Sequence, residues 1–551
     1  MSTQKAPPAP VLDSGTRLAH ARRAARLSQV ELASRLGTSG WWVDQVEAGT
    51  LDPGSRLGAI AAVTGVDEAW LRSPTHAPSK ESAASEVLPS LGVIGKWLVL
   101  ATIATLVTVR FFTEVVPLVP RALNFIDIPI FLALVFASTL SPPRSLSGRT
   151  YLHVGVPACA LLLLSGASAI VNANRVAPAP LLVFVYGFLA PLALYAAVYR
   201  VWPSGSARSL SRVLVALGLV QLVVVAVIDL PRFISSGNPD EIAGTFGTNA
   251  YQLVFFLLLV AALLAGIFTL EPSRAIARFA PIFIIAIFIV ILLAQYRALL
   301  ATTVVGLVVV GILLGRQARG VIAGVLIVIA FTLAFSYVAA NFPKLKLETT
   351  ATTLSQSPWS YARERLEAGR PVAGLYRDYP LTIAVGSGPG TFSSRAWQTF
   401  ANADSASASN VQGGYAQRLT GGVYETDVSK KYVAPQRQEG VVIEGSRALS
   451  SPFSSYLGLA AEVGLLGLAL VVGVYIVVLL RSFHIARREI ADAVPGDPVP
   501  ALALATTIGF LTLLQMGFLE NWLEVTRITF IVWAIFAVVC KEVDSRSTAA
   551  S

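Results

Sequence analysis

Between Ser90 and Cys540 the chain carries one apolar block after another, most of them about as long as a bilayer is thick and nearly free of charge. Lipid offers no hydrogen-bond partner to a bare backbone, so blocks of this length read as spanning α-helices. Taken in order they predict twelve spans, at roughly 91–110, 124–140, 150–171, 179–200, 210–230, 250–270, 277–294, 298–314, 320–341, 454–480, 499–518 and 522–540. Hydrophobic residues make up 54% of the sequence and charged residues only 13%, which excludes an ordinary soluble chain. The expected fold class is all-α, a polytopic membrane helix bundle.

The first ninety residues are polar and have no early apolar core, so no secretory signal is expected and the N-terminus is placed in the cytoplasm. The inner connections then hold Arg144, Arg149, Arg200, Arg208, Arg212, Arg274, Arg278, Arg316, Arg319, Arg481, Arg487 and Arg488, with Lys541 and Arg546 in the tail. The short outer connections hold only Arg110, Arg121, Arg175, Arg232, Arg297 and Arg527. This bias follows the positive-inside rule and sets the long polar loop 342–453 outside the cytoplasm. The net charge of +10 thus reports topology rather than nucleic acid. Cys159 and Cys540 both fall in predicted spans, which excludes a disulfide framework and a cysteine-based metal site. No cofactor or metal is expected.

The boundaries expected are a disordered tail at 1–12, a soluble unit at 13–72, a Pro/Ser/Ala-rich linker at 73–90, the membrane domain at 91–541 and a C-terminal tail at 542–551. The soluble unit contains "LSQVELASRLG", then "VDQVEAG" and "LGAIAAVTGVDEAWL". These runs resemble the phage-repressor-like helix-turn-helix family. In such domains the second helix of the motif reads base edges. Here that region is "TSGWWVDQVE", with two tryptophans and two acids and no Lys or Arg. Arg22, Arg23, Arg26 and Arg35 could touch phosphates, but such contacts carry no sequence information. A cytoplasmic protein partner is therefore favoured over DNA.

Four segments of the membrane domain occur in a fixed order: "GTFGTNAYQL" from Gly244, "QYRALLATTVVGLVV" from Gln295, "YARERLEAGRPVAGLYRDYPLTIAVGSGPGTF" from Tyr361, and "SPFSSYLGLAAEVGLLGLALVV" from Ser451. Together, and with the large loop between the ninth and tenth predicted spans, they resemble the O-antigen ligase / O-antigen polymerase family of bacterial membrane glycosyltransferases. The resemblance covers about residues 90–540 and implies the C-type membrane architecture, in the cytoplasmic (inner) membrane of a bacterium. It implies transfer of glycan from a polyprenyl-diphosphate carrier to an acceptor hydroxyl at the outer face, with membrane lipid as surroundings. Where the family often carries His before "NxYL", this chain has Phe453-Ser454-Ser455-Tyr456-Leu457, and none of its four histidines lies in the outer loop. That departure favours polymerase over ligase and leaves the base unassigned.

A diphosphate leaves without a strong acid, so the reaction asks mainly for cations, positioning and a proton acceptor. Arg297 stands at the family's "SRGA"-like position at a span start, and Arg377 closes the amphipathic loop helix. Arg377 and Gly388 are separated by ten residues, a spacing seen in outer loops of the polymerase branch, and Arg447 and Gly458 share it. Asn249 and Tyr456 are motif positions that could meet substrate. Glu444, nine residues before Phe453, is nominated as base, with Asp378 as its substitute. Glu462 is expected to hydrogen-bond within the helix packing. The "GSGPG" knot, Gly386 to Gly390, is expected to make a tight turn seating the loop helix against the membrane domain, in preference to binding an anion directly. A membrane-tethered helix-turn-helix regulator and a glycan or lipid transporter are the alternatives, though internal repeats and mid-span charges, the marks of a transporter, are not evident.

Overall fold

The computed structural model describes residues 14–66, 81–140, 154–343, 369–401, 424–433 and 454–550, short gaps aside, together with Leu71. The chain divides between Pro89 and Ser90 into two units.

In the first unit, α1 (Ser14–Ala24), α2 (Gln29–Arg35), α3 (Gly40–Glu47) and α4 (Leu57–Thr64) surround a small core of Leu18, Leu32, Val43, Val46 and Ile60. Ser28 and Glu31 form a reciprocal capping box that starts α2. Gly37 takes φ 61° in the turn that follows. Glu47 accepts from Arg22 Nε at 2.6 Å and from Gln29 Nε2 at 2.8 Å, so Arg22 is engaged inside the unit. Trp41 and Asp44 are left exposed on α3, which tests neither DNA nor protein recognition but sets what that helix presents.

The second unit, among the described residues, is built of helices with no strand. They are α5 (Glu81–Arg110), α6 (Asp127–Leu140), α7 (Val156–Val171), α8 (Pro178–Val201), α9 (Ala207–Val224), α10 (Leu230–Ser236), α11 (Ala250–Leu270), α12 (Ala275–Leu293), α13 (Arg297–Leu314), α14 (Ala318–Asn341), α15 (Arg370–Asp378), α16 (Thr382–Val385), α17 (Arg395–Ala401), α18 (Ser455–Ala491), α19 (Val499–Leu519) and α20 (Thr526–Ala550). Among the described residues, seven helical stretches are long and apolar enough to cross a membrane. The apolar helices Ile128–Leu140 and Val156–Val171 are shorter, while α13, α14 and α20 occupy the three other predicted segments.

Three boundaries differ from the sequence reading. Helix α5 begins at Glu81, inside the segment read as linker. Helix α9 runs on through a π turn at Val225–Asp229 into α10, well past residue 230. Residues 520–525 turn back between α19 and α20, so the last helix starts at Thr526 instead of 522. Apolar composition alone could not separate that turn from a helix, because Trp522, Leu523 and Val525 are buried in it.

Helix α11 is apolar on every side and buried on nearly all of them, as a central helix must be. Helices α9, α12 and α19 pack around it; α18 and α20 pack on α19, and α8 on α20. Aromatic side chains lock the last of these layers, with Phe510 and Trp533 edge to face at 5.2 Å. At one end of this bundle the tail of α5, the start of α11, the start of α18, the 520–525 turn and the loop helices α15 to α17 converge.

Candidate functional site

The glycine knot holds this end together. Helix α18 breaks at Gly464, whose φ of 73° and ψ of −179° interrupt the helical ladder. A break frees the carbonyls of the turn before it, and buried carbonyls need donors. The loop supplies them. Ser387 N–H donates to Ala461 O at 2.8 Å, Gly388 N–H to Glu462 O at 3.1 Å, and the Tyr376 hydroxyl to Ala460 O at 2.8 Å. Only glycine tolerates the approach. A Cβ on Gly386 would lie 2.2 Å from the Glu462 carbonyl carbon, and one on Gly464 would lie 2.3 Å from Ala384 O.

The knot does bind an anion, and the anion is the protein's own. The fully buried carboxylate of Glu462 accepts backbone N–H groups from Gly390 at 2.5 Å, Phe392 at 3.0 Å, Ser393 at 3.0 Å and Ser394 at 2.9 Å. Successive N–H groups turned inward form a nest for negative charge. Glu462 thus reaches out of its helix into the loop, further than a bond within helix packing. Two other turns use the same device: Asp229 accepts Ala243 and Gly244 N–H, and Glu542 accepts Gly205, Ser206 and Ala207 N–H.

Directly after the nest, Arg395 opens α17 and joins three elements. Its backbone N–H donates to Glu524 Oε2 at 2.7 Å, its Nε to Asn521 O at 3.2 Å, and its Nη2 to the Tyr251 hydroxyl at 3.2 Å. Tyr251 lies one residue into α11, packs on Trp522 at 5.5 Å, and also receives Gln252 Nε2 at 3.0 Å. The charges of both Arg395 and Arg110 bear on Tyr251. Arg110 ends α5, with Nε 3.6 Å from Glu114, and Gly247 lies so close to that carboxylate that a Cβ there would push it aside. Burial, with Glu462 nearby, pushes the Glu524 carboxyl up to about 8 against the opposing pull of Arg395, and the Asn521 amide lies beside it. The result is a pair of guanidinium groups, a phenol and a carboxyl of raised proton affinity, gathered at one end of the bundle.

No protein-family model and no curated protein matches this sequence.

The residues nominated from sequence are placed unevenly. Gly386 and Gly388 form the knot and meet backbone and the side chains of Asn172 and Val176, so they shape the loop. Asn249 donates to Phe246 O at 3.1 Å, closing the turn before α11. Tyr456 donates its hydroxyl to Leu514 O at 2.7 Å. Arg377 is exposed on α15, 3.4 Å from its neighbour Asp378. Asp378 accepts from Lys431 at 2.8 Å and from Tyr432 at 2.7 Å, which hold its carboxyl down at about 2 and make it a weak proton acceptor. Arg297 is the first residue of α13, and its side chain lies outside the described residues, as do Glu444 and Arg447 entirely.

Sequence reasoning missed Arg395, Arg110, Tyr251 and Glu524. Two of them were within reach. Tyr251 belongs to the first quoted motif, and Arg395 stands three residues beyond the end of the third. For Glu524, the neighbouring apolar residues hid a functional turn inside what read as a span.

Proposed function

We propose that this protein is a membrane glycosyltransferase that moves glycan from a polyprenyl diphosphate onto an acceptor hydroxyl, with chain polymerisation favoured over ligation. One observation carries the reading: Arg395 of the loop hydrogen-bonds Tyr251 of the first motif, and Ser394, its neighbour in the chain, hydrogen-bonds Glu462 of the fourth. The first motif, the fourth and the segment just after the third thus meet in one place, with the guanidinium of Arg395 in it.

In this reading Arg395 and Arg110 hold the diphosphate, and Tyr251 orients Arg395. The acceptor oxygen attacks the anomeric carbon as its bond to the diphosphate oxygen breaks. Polyprenyl diphosphate departs with the electron pair, and the hydroxyl proton passes to ionised Glu524. Charge developing on the leaving oxygens is stabilised by fixed cations where water is sparse, which is the larger effect, and general-base help adds to it. Arg297 remains a second candidate for the diphosphate on motif grounds. The N-terminal unit, with Arg22 tied to Glu47 and Trp41 exposed, is proposed to meet a cytoplasmic protein rather than DNA.

The test is genetic and biochemical. The gene is deleted and complemented with wild type, Arg395→Ala, Arg297→Ala or a truncation lacking residues 1–80, and surface glycan chain length is measured. Lost long chains with the arginine variants and near-normal chains with the truncation support the enzyme. Loss with the truncation alone, both arginine variants being normal, would establish a membrane-bound regulator instead.

A further inference from the structure

A cavity of about 370 Å³ opens between α9, α11 and α12, and neither Arg395 nor any residue it bonds lines it. Helix α9 touches α11 closely at Gly218, where a Cβ would lie 2.7 Å from Val260 Cγ1, and α11 forms the cavity floor. The walls are apolar, with Leu219 and Leu222 of α9 facing Phe283 and Ile287 of α12. Arg212, Ala216 and Leu219 are exposed, so the groove opens onto the outer flank of the bundle, where lipid lies.

One mouth of this groove is polar. Arg212 lines it, is exposed, and makes no hydrogen bond or ion pair among the described residues. Beside it Ser211, 1% exposed and also lining the cavity, has a hydroxyl with no hydrogen-bond partner. A buried hydroxyl ordinarily bonds to something, so an orphan at a cavity wall points to an absent ligand. Arg278 lies on α12 one turn beyond the lining residue Ala275, and is likewise exposed and without a partner among the described residues. Arg208, one turn before Arg212, is by contrast taken up by Gly496 O at 2.6 Å.

We propose that this groove is a binding site for an anionic phospholipid, its phosphate held by Arg212 and the Ser211 hydroxyl and one acyl chain lying between α9 and α12. Basic pockets between spanning helices recognise lipid phosphate through just this pairing of charge and apolar slot. A solitary arginine snorkelling to the interface explains its own position, but neither the slot nor the orphan hydroxyl. The site is independent of the glycosyl-transfer reading.

The full chain, purified in detergent and stripped of lipid, is titrated with phosphatidylglycerol or phosphatidylcholine and scored by native mass spectrometry. Wild type is expected to retain phosphatidylglycerol at least about tenfold better than phosphatidylcholine. Arg212→Ala is expected to remove most of that preference, Ala216→Trp to block retention by filling the slot, and Arg487→Ala, an exposed arginine outside the groove, to leave it unchanged. Equal retention of the two lipids by wild type overturns the proposal. So does a preference that survives both Arg212→Ala and Ala216→Trp, which would place the lipid on another basic surface.

Discussion

Glu462 and Gly390 are far apart in sequence, yet the carboxylate of one accepts the backbone N–H of the other at 2.5 Å, in a place no water reaches. The contact ties the long polar loop to the broken helix α18, and through Ser394 it sets where Arg395 begins α17. The glycine-rich turn, expected to seat the loop helix rather than to bind an anion directly, closes round a carboxylate of the same chain.

Removing that carboxylate should loosen the loop before it affects anything else. Glu462→Ala leaves four N–H groups unpaired, three of them buried, and hydrogen bonds to charged groups are worth about 1.5–3 kcal/mol each. The expected outcome is a loss of several kcal/mol, read as a lower Tm in detergent and faster proteolysis within 342–453. A variant as stable and protease-resistant as wild type would show that the nest is held by other contacts.

The two glycines that meet across the break carry a sharper prediction. Gly386→Ala and Gly464→Ala each put a Cβ near 2.2–2.3 Å from backbone at positive φ, and both should fold poorly. Positive φ with extended ψ is open essentially to glycine alone and costs another residue about 1–3 kcal/mol, and the collision adds to it. Gly473, in the same helix with nothing within 4 Å of its would-be Cβ, serves as the control. Gly473→Ala should be neutral or stabilising by up to about 1 kcal/mol.

Arg395→Ala should cost transfer activity far more than Arg377→Ala, measured as product formed from a polyprenyl-diphosphate-linked glycan. Arg395 bonds across three elements, whereas Arg377 is exposed beside its neighbour Asp378. Loss of one fixed donor in a dry site costs roughly 100-fold or more. Arg395→Lys should recover little, since a point charge cannot keep both the Asn521 and Tyr251 contacts. Equal losses for Arg377→Ala and Arg395→Ala would move the site outward along the loop.

Glu524 makes stability and activity respond to pH in opposite senses. Its carboxyl stays protonated in the fold up to about 8, against an ordinary 4.5. Between those values the folded chain holds a proton that the unfolded chain has lost, so Glu524's contribution to stability falls as pH rises through that window, by at most about 1.4 kcal/mol per unit, and then levels off. Thermal unfolding from pH 5 to 9 should show this slope in wild type and lose it in Glu524→Gln. Transfer activity should instead rise as pH passes about 8, because only the ionised carboxylate accepts a proton, and Glu524→Gln should remove that limb. Identical pH profiles for the two proteins would relieve Glu524 of any proton role.

The sequence by itself determined the helical, membrane-suited character of this chain, because an apolar block long enough to span has no satisfactory backbone conformation in lipid except a helix. It also marked the Gly386–Gly390 knot as a tight turn, though not Gly464, the glycine it packs against. The long, all-round apolar α11 was legible as a helix from composition, and its central place follows from having no polar face to expose. What only the tertiary structure decided is which polar groups meet. Glu462 and the Gly390–Ser394 nest, Arg395 and Tyr251, and Glu524 in its turn are joined by hydrogen bonds across 68 to 144 positions of chain. A hydrogen bond reaches about 3 Å and leaves no periodicity in sequence, so such pairings become visible only once the helices are packed.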